Sequence, residues 1–198
     1  MRSLPAVVKN LLIANVVVFL AQLFFHSSST PLEAYFALFP FRSPYFKIWQ
    51  VVTHMFMHGG WFHLLFNMFA LYMFGAMLEQ LWGAKRFFNF YMICGIVAGI
   101  AQLVFDSNFS YAVGASGAIM GVLAAFAYLF PNTPLYLMFI PIPIKAKYAI
   151  PGLMALDLFG GFARVPGDNI AHFAHLGGAV AGFILVLLWN KTNRNTFY

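Results

Sequence analysis

Charge is what this sequence has least of. Only 8% of its 198 residues are Asp, Glu, Lys or Arg, against about 25% in soluble domains, so the chain cannot cover a water-facing surface in the usual way. Carboxylates are scarcest, at 5 acidic residues against 11 basic ones. A single cysteine, Cys94, excludes an intrachain disulfide and a thiolate metal site and reads as a packed small hydrophobe. The 6 histidines contain no His-Glu-x-x-His run, and no apolar run carries a carboxylate placed to activate a zinc-bound water. No metal and no cofactor are therefore expected. An internal repeat is also missing, which argues against an inverted-repeat transporter. The basic residues are scattered rather than clustered, so no nucleic-acid partner is expected.

What is present is apolar. Hydrophobic residues make up 62% of the chain, Phe occurs 25 times, and mean hydropathy is +0.81. Lipid is the solvent that suits such a composition. Six stretches are candidate spans: Val7–Phe25, Trp61–Leu81, Phe87–Phe105, Ala115–Phe130, Ala146–Leu158 with its flanks, and Ile170–Trp189. A span needs about 20 residues, so the fourth and fifth are short or irregular, and Pro141, Pro143 and Pro151 complicate the fifth. The first run is long enough to span and has no small-x-small cleavage site before His26, so it reads as a span and not a signal peptide. The expectation is an all-α membrane protein, with residues 1–198 forming one domain.

Charge placement orients these spans. With the N-terminus inside, Arg2, Lys9, Lys85, Arg86, Lys145, Lys147, Lys191 and Arg194 face the cytoplasm, and Arg42, Lys47 and Arg164 face out. The excess predicts both termini in the cytoplasm. The first outer loop, about residues 26–58, is aromatic and amphipathic, with Tyr35, Phe36, Phe39, Tyr45, Phe46 and Trp49. Such a segment prefers the membrane interface to bulk water.

Polar residues inside or beside apolar runs are costly and mark function. His63 and Asn67 are four apart on one face of the second span, and both can donate a hydrogen bond. Ser116, in Gly114-Ala-Ser-Gly117, opens the fourth run, where free backbone N–H groups can hold negative charge. His172 and His175 lie near the outer end of the sixth. His54 and His58 precede the second span and read as interfacial. Small-x-x-x-small spacings at Gly95/Gly99, Gly117/Gly121 and Ala174/Gly178/Gly182 allow close helix packing. A serine hydroxyl becomes a nucleophile only when a base takes its proton. His172, His175 and His63 are the candidate bases. Asp157 and Asp168 fall in the outer loop, and Asp168, four residues before His172, could orient that ring. A Ser–His dyad is the simpler expectation.

These residues together resemble the rhomboid family of intramembrane serine proteases, over about Trp49 to Gly182. Gly114-Ala-Ser-Gly117 is similar to the family's Gly-x-Ser-Gly, which implies Ser116 as nucleophile. Ala171-His172 is similar to its catalytic-histidine motif, which implies His172 as base. His63 and Asn67 correspond to its His-x-x-x-Asn and imply an oxyanion pocket with Gly114 and the Ser116 N–H, and His58 to a further histidine before that span. Gly75-x-x-x-Glu79-x-x-x-Gly83 is similar to a structural motif in which Glu79 ties segments together. Gly117, Met120 and His175 are supporting positions. Met120 stands where some members place a tyrosine, and Gln50 replaces the arginine of a Trp-Arg pair. The resemblance implies a six-transmembrane-helix rhomboid-like bundle with an interfacial first external loop. It also implies a bacterial inner-membrane location and membrane-protein substrates, embedded among lipids. The alternative is a rhomboid-like protein that binds helices, or polices their quality, without cutting.

Overall fold

The computed structural model describes residues 3–26, 31–106, 109–136, 142–163 and 170–192. Arg2, Pro141, Arg164, Asp168 and Arg194, named above, lie outside them. The architecture is a helical bundle. Helix α1 spans Ala6–Phe25, and two single turns, α2 (Glu33–Phe36) and α3 (Gln50–Thr53), lie in the first loop. Helix α4 (Trp61–Ala70) runs through a π-helical segment, Leu71–Gly75, into α5 (Ala76–Trp82). Helices α6 (Ala84–Phe105), α7 (Ser116–Leu129), α8 (Ala146–Ala163) and α9 (His172–Thr192) follow. Four of these helical stretches are long and apolar enough to cross a membrane: Ala6–Phe25, Trp61–Trp82, Ala84–Phe105 and His172–Asn190. The fourth run is short as a helix, at 14 residues. The fifth differs from expectation. Pro151 lies inside α8 without ending it, and Pro143 belongs to a small hairpin, Pro134–Tyr136 against Pro143–Lys145, that precedes the helix.

The centre of the bundle is α6, α7 and α9. Their packing follows from the small residues. A Cβ at Gly178 or Gly182 of α9 would collide with the carbonyl oxygen of Gly117 or Gly121 on α7, and one at Gly121 would stand 2.5 Å from Cys94 Sγ of α6. Backbone here lies directly on backbone, which only glycine permits. Since Gly117 faces Gly178 and Gly121 faces Gly182, α7 and α9 run parallel with a fixed register, and the first turns of both helices come close together. Gly178→Ala is therefore expected to force α7 and α9 apart. It should cost roughly 1–3 kcal/mol or more of stability, read as a lowered unfolding midpoint in detergent.

Polar side chains clamp the remaining segments. Glu79, 4% exposed, accepts hydrogen bonds from the Val7 and Val8 N–H groups at 2.9 and 2.7 Å. It thereby satisfies two of the free donors at the start of α1. Gln102 of α6 accepts from the Ala174 N–H at 3.1 Å, which fixes the start of α9. In the first loop Gln50 is fully buried. Its Oε1 accepts from the Lys47 N–H at 3.1 Å, and its Nε2 donates to the carbonyls of Tyr45 at 2.9 Å and Tyr35 at 3.3 Å. A neutral amide with one acceptor and two donors thus anchors the loop where the resemblance had an arginine. Leu38 and Ala112 exchange backbone hydrogen bonds, and the Gly114 N–H donates to the His54 carbonyl at 2.9 Å. The first loop is stitched in this way to the strand-like segment that leads into Ser116.

Candidate functional site

Ser116 is the first residue of α7, so its N–H belongs to the free donors of a helix start. The chain reaches it through Gly114, whose φ of +125° is a conformation that side-chain-bearing residues avoid. A Cβ there would also stand 2.7 Å from His63 Nε2 and 3.5 Å from Ser116 Oγ. The absent side chain lets the His63 ring close on the backbone beside the serine hydroxyl.

The imidazole that meets Ser116 is not the expected one. His175 Nε2 lies 2.7 Å from Ser116 Oγ. His172 instead places its Nδ1 2.6 Å from Asp157 Oδ1, with its ring packed over Gly160 and Gly161 of α8. The register explains the difference. Three residues along α9 place His172 about 4.5 Å further toward the start of the helix, on the same side as His175, and with Gly117 against Gly178 it is His175 that stands beside Ser116.

Asp157 corrects a second expectation. It sits on α8, not in an outer loop, and its carboxylate bridges both histidines, with Oδ2 2.8 Å from His175 Nδ1. A carboxylate only accepts, so both Nδ1 atoms carry the proton, and the His175 Nε2 lone pair is left to accept from the Ser116 hydroxyl. Serine, histidine and aspartate form a continuous chain from three helices, α7, α9 and α8. The cluster is sheltered without being sealed: the side chains of Asp157, His172 and His175 are 13%, 12% and 18% exposed. Gly160 and Gly161 are helical residues of α8 and give the His172 ring its room.

The donors lie on the other side. His63 Nδ1 accepts from the Gly59 N–H at 3.3 Å, which leaves its Nε2 protonated and turned toward Gly114 beside Ser116. Asn67, one turn further along α4, is buried, and its Nδ2 has no hydrogen-bond partner among the described residues. An amide donor stranded this way costs about 1–3 kcal/mol unless something arrives to accept from it. The other expected positions are supporting ones by location. Gly117 packs on Ala98 of α6, and Met120 is partly buried one turn after Ser116.

His58 is 2% exposed, its ring centroid 5.2 Å from that of His63. His54, expected at the interface, is buried as well, with Nδ1 2.8 Å from the Gln50 carbonyl. Burial brings both rings down from 6.5 to about 4, helped at His58 by the neighbouring His63 charge. Groups held neutral in the fold stabilise it fully above pH 6.5 and progressively less as pH falls toward 4. Thermal midpoints in detergent should therefore decline through that window. A flat profile would show that the two rings gain protons without cost.

Fold and site together define a helical integral membrane protein with a serine–histidine–aspartate cluster near one end of its central helices. A family model described as the Rhomboid domain matches residues 45–191, and the chain belongs to the rhomboid family. It is 34% identical over 140 residues to "Rhomboid protein 1, mitochondrial" of Saccharomyces cerevisiae, covering 68% of this chain and 40% of that protein. It is 35% identical over 136 residues to "Rhomboid protease GluP" of Bacillus subtilis, covering 68% and 25%. With "RHOMBOID-like protein 1" of Arabidopsis thaliana it shares 33% over 140 residues, covering 70% and 34%. The chain thus spans a quarter to two fifths of the length of these relatives.

Proposed function

We propose that this protein is an intramembrane serine endopeptidase that hydrolyses a peptide bond in or near the membrane-spanning segment of another protein. The observation that carries the reading is the 2.7 Å approach of His175 Nε2 to Ser116 Oγ, and the family includes a named protease. Ser116 Oγ attacks the scissile carbonyl carbon as its proton passes to His175 Nε2. The C–O bond forms, and negative charge collects on the carbonyl oxygen beside Ser116 and the His63 ring. The Ser116 N–H, His63 Nε2–H and Asn67 Nδ2–H stabilise it there. His175 then gives its proton to the leaving amine as the C–N bond breaks. Water, activated by the same ring, releases the acyl group and restores the serine. Asp157 holds the tautomer and offsets the charge that His175 gains in each half-reaction.

His175 thus takes the role that the sequence resemblance gave to His172, and an aspartate joins the expected dyad. The excess of basic residues in one set of loops supports a bacterial inner-membrane orientation with both termini in the cytoplasm. The site then opens near the outer face. The test is cleavage of a labelled single-span protein by the purified chain in liposomes. Product should form with the wild type and not with Ser116→Ala, while the substrate still binds. A protein that only binds helices would give no serine-dependent product in either case.

A further inference from the structure

The end of the bundle opposite Ser116 carries a second constellation. Trp189 lies 14 residues beyond His175 on α9, about 21 Å along the axis. It meets Trp82, the last residue of α5, edge to face at 5.8 Å. Arg86, in the first turn of α6, sets its guanidinium 4.6 Å above the Trp189 ring and 6.0 Å from that of Trp82. Lys85 and Asn89 complete the lining of a cavity of about 560 Å³ between these elements, a size typical of ligand sites. Arg86 has no carboxylate partner among the described residues. Glu79, the acidic residue of the neighbouring α5, spends both oxygens on Val7 and Val8.

We propose that this cavity binds the phosphate of an anionic phospholipid headgroup. A guanidinium laid over an indole uses its face for the ring and keeps its N–H edge free, and that edge fits two phosphate oxygens at once. The Lys85 ammonium adds a second charge and the Asn89 amide a neutral donor. The source of the phosphate follows from place. The cavity lies at the end of apolar spans, beside paired tryptophans of the kind that sit at headgroup level, where basic pockets between helices meet lipid phosphates. The acyl chains would continue along the exposed apolar surface of α6 and α9, on which Phe88 and Leu188 are exposed.

Native mass spectrometry of the whole chain, offered equal phosphatidylglycerol and phosphatidylcholine in neutral detergent, tests this. The wild type should retain the anionic lipid about five-fold over the zwitterionic one, and Arg86→Gln should bring the ratio close to unity. Arg42→Gln, which removes a distant exposed charge, should leave the ratio as it was. If Arg86→Gln does not fold, Lys85→Gln and Asn89→Ala, both at exposed positions, carry the test and should lower the ratio. Equal retention of the two lipids by the wild type, or a preference that survives these substitutions, would overturn the proposal. So would inorganic phosphate raising the thermal midpoint as much as phosphatidylglycerol does, since the site would then take free phosphate. None of these readouts depends on proteolysis.

Discussion

Replacing His175 with alanine is expected to cut turnover of a membrane substrate by roughly 10³-fold or more, as loss of the base does where a serine depends on it. Replacing His172 with alanine should cost far less. His175 Nε2 faces the Ser116 hydroxyl, whereas the Nδ1 of His172 is turned to Asp157. His172→Ala removes one of two donors to Asp157 and leaves the Ser116–His175–Asp157 chain in place. The sequence resemblance alone predicts the reverse order, so the pair of variants separates the two assignments. Rates should be compared at saturating substrate, with binding measured separately, so that a loss of turnover is not mistaken for a loss of affinity.

Asp157→Asn is the second large effect. A carboxylate offers an acceptor to each of two imidazoles, at 2.6 and 2.8 Å, but a carboxamide has a single acceptor oxygen. Whichever way the amide turns, one ring faces its NH₂ group. When that ring is His175, the proton shifts to Nε2 and the ring can no longer accept from Ser116. Turnover should fall about 10²-fold or more with little change in KM, because Asp157 touches the base and not the substrate. Removing the competing ring in the double variant Asp157→Asn/His172→Phe frees the amide oxygen for His175 and should restore part of the loss. Unchanged turnover in Asp157→Asn would reduce the aspartate to a packing role and return the site to a dyad.

The bundle was legible in the sequence because lipid imposes a simple rule: apolar runs of about 20 residues become helices. The runs beginning near residues 7, 61, 87, 115, 146 and 170 all appear as helical stretches. What failed was local. Pro151 suggested a broken fifth segment, yet a proline can sit inside a membrane helix whose neighbours compensate, and with α8 continuous Asp157 moves from a loop to the cluster. Ser116 was marked by its glycines. The choice between His172 and His175 was not open to motif spacing, because it depends on how α9 registers against α7. A signal was present nonetheless. Pairing the glycine ridge at 117 and 121 with that at 178 and 182 sets Ser116 beside His175. Gln50 stands where the resemblance has an arginine, yet it anchors the loop because its backbone partners need only donors and acceptors.

The central claim is that His175, and not His172, activates Ser116. A fluorophosphonate that labels only an activated serine measures this most directly, with the adduct located by mass spectrometry. A single adduct on Ser116 is expected in the wild type, little or none in His175→Ala, and substantial labelling in His172→Ala. Full labelling of His175→Ala together with loss in His172→Ala would contradict it.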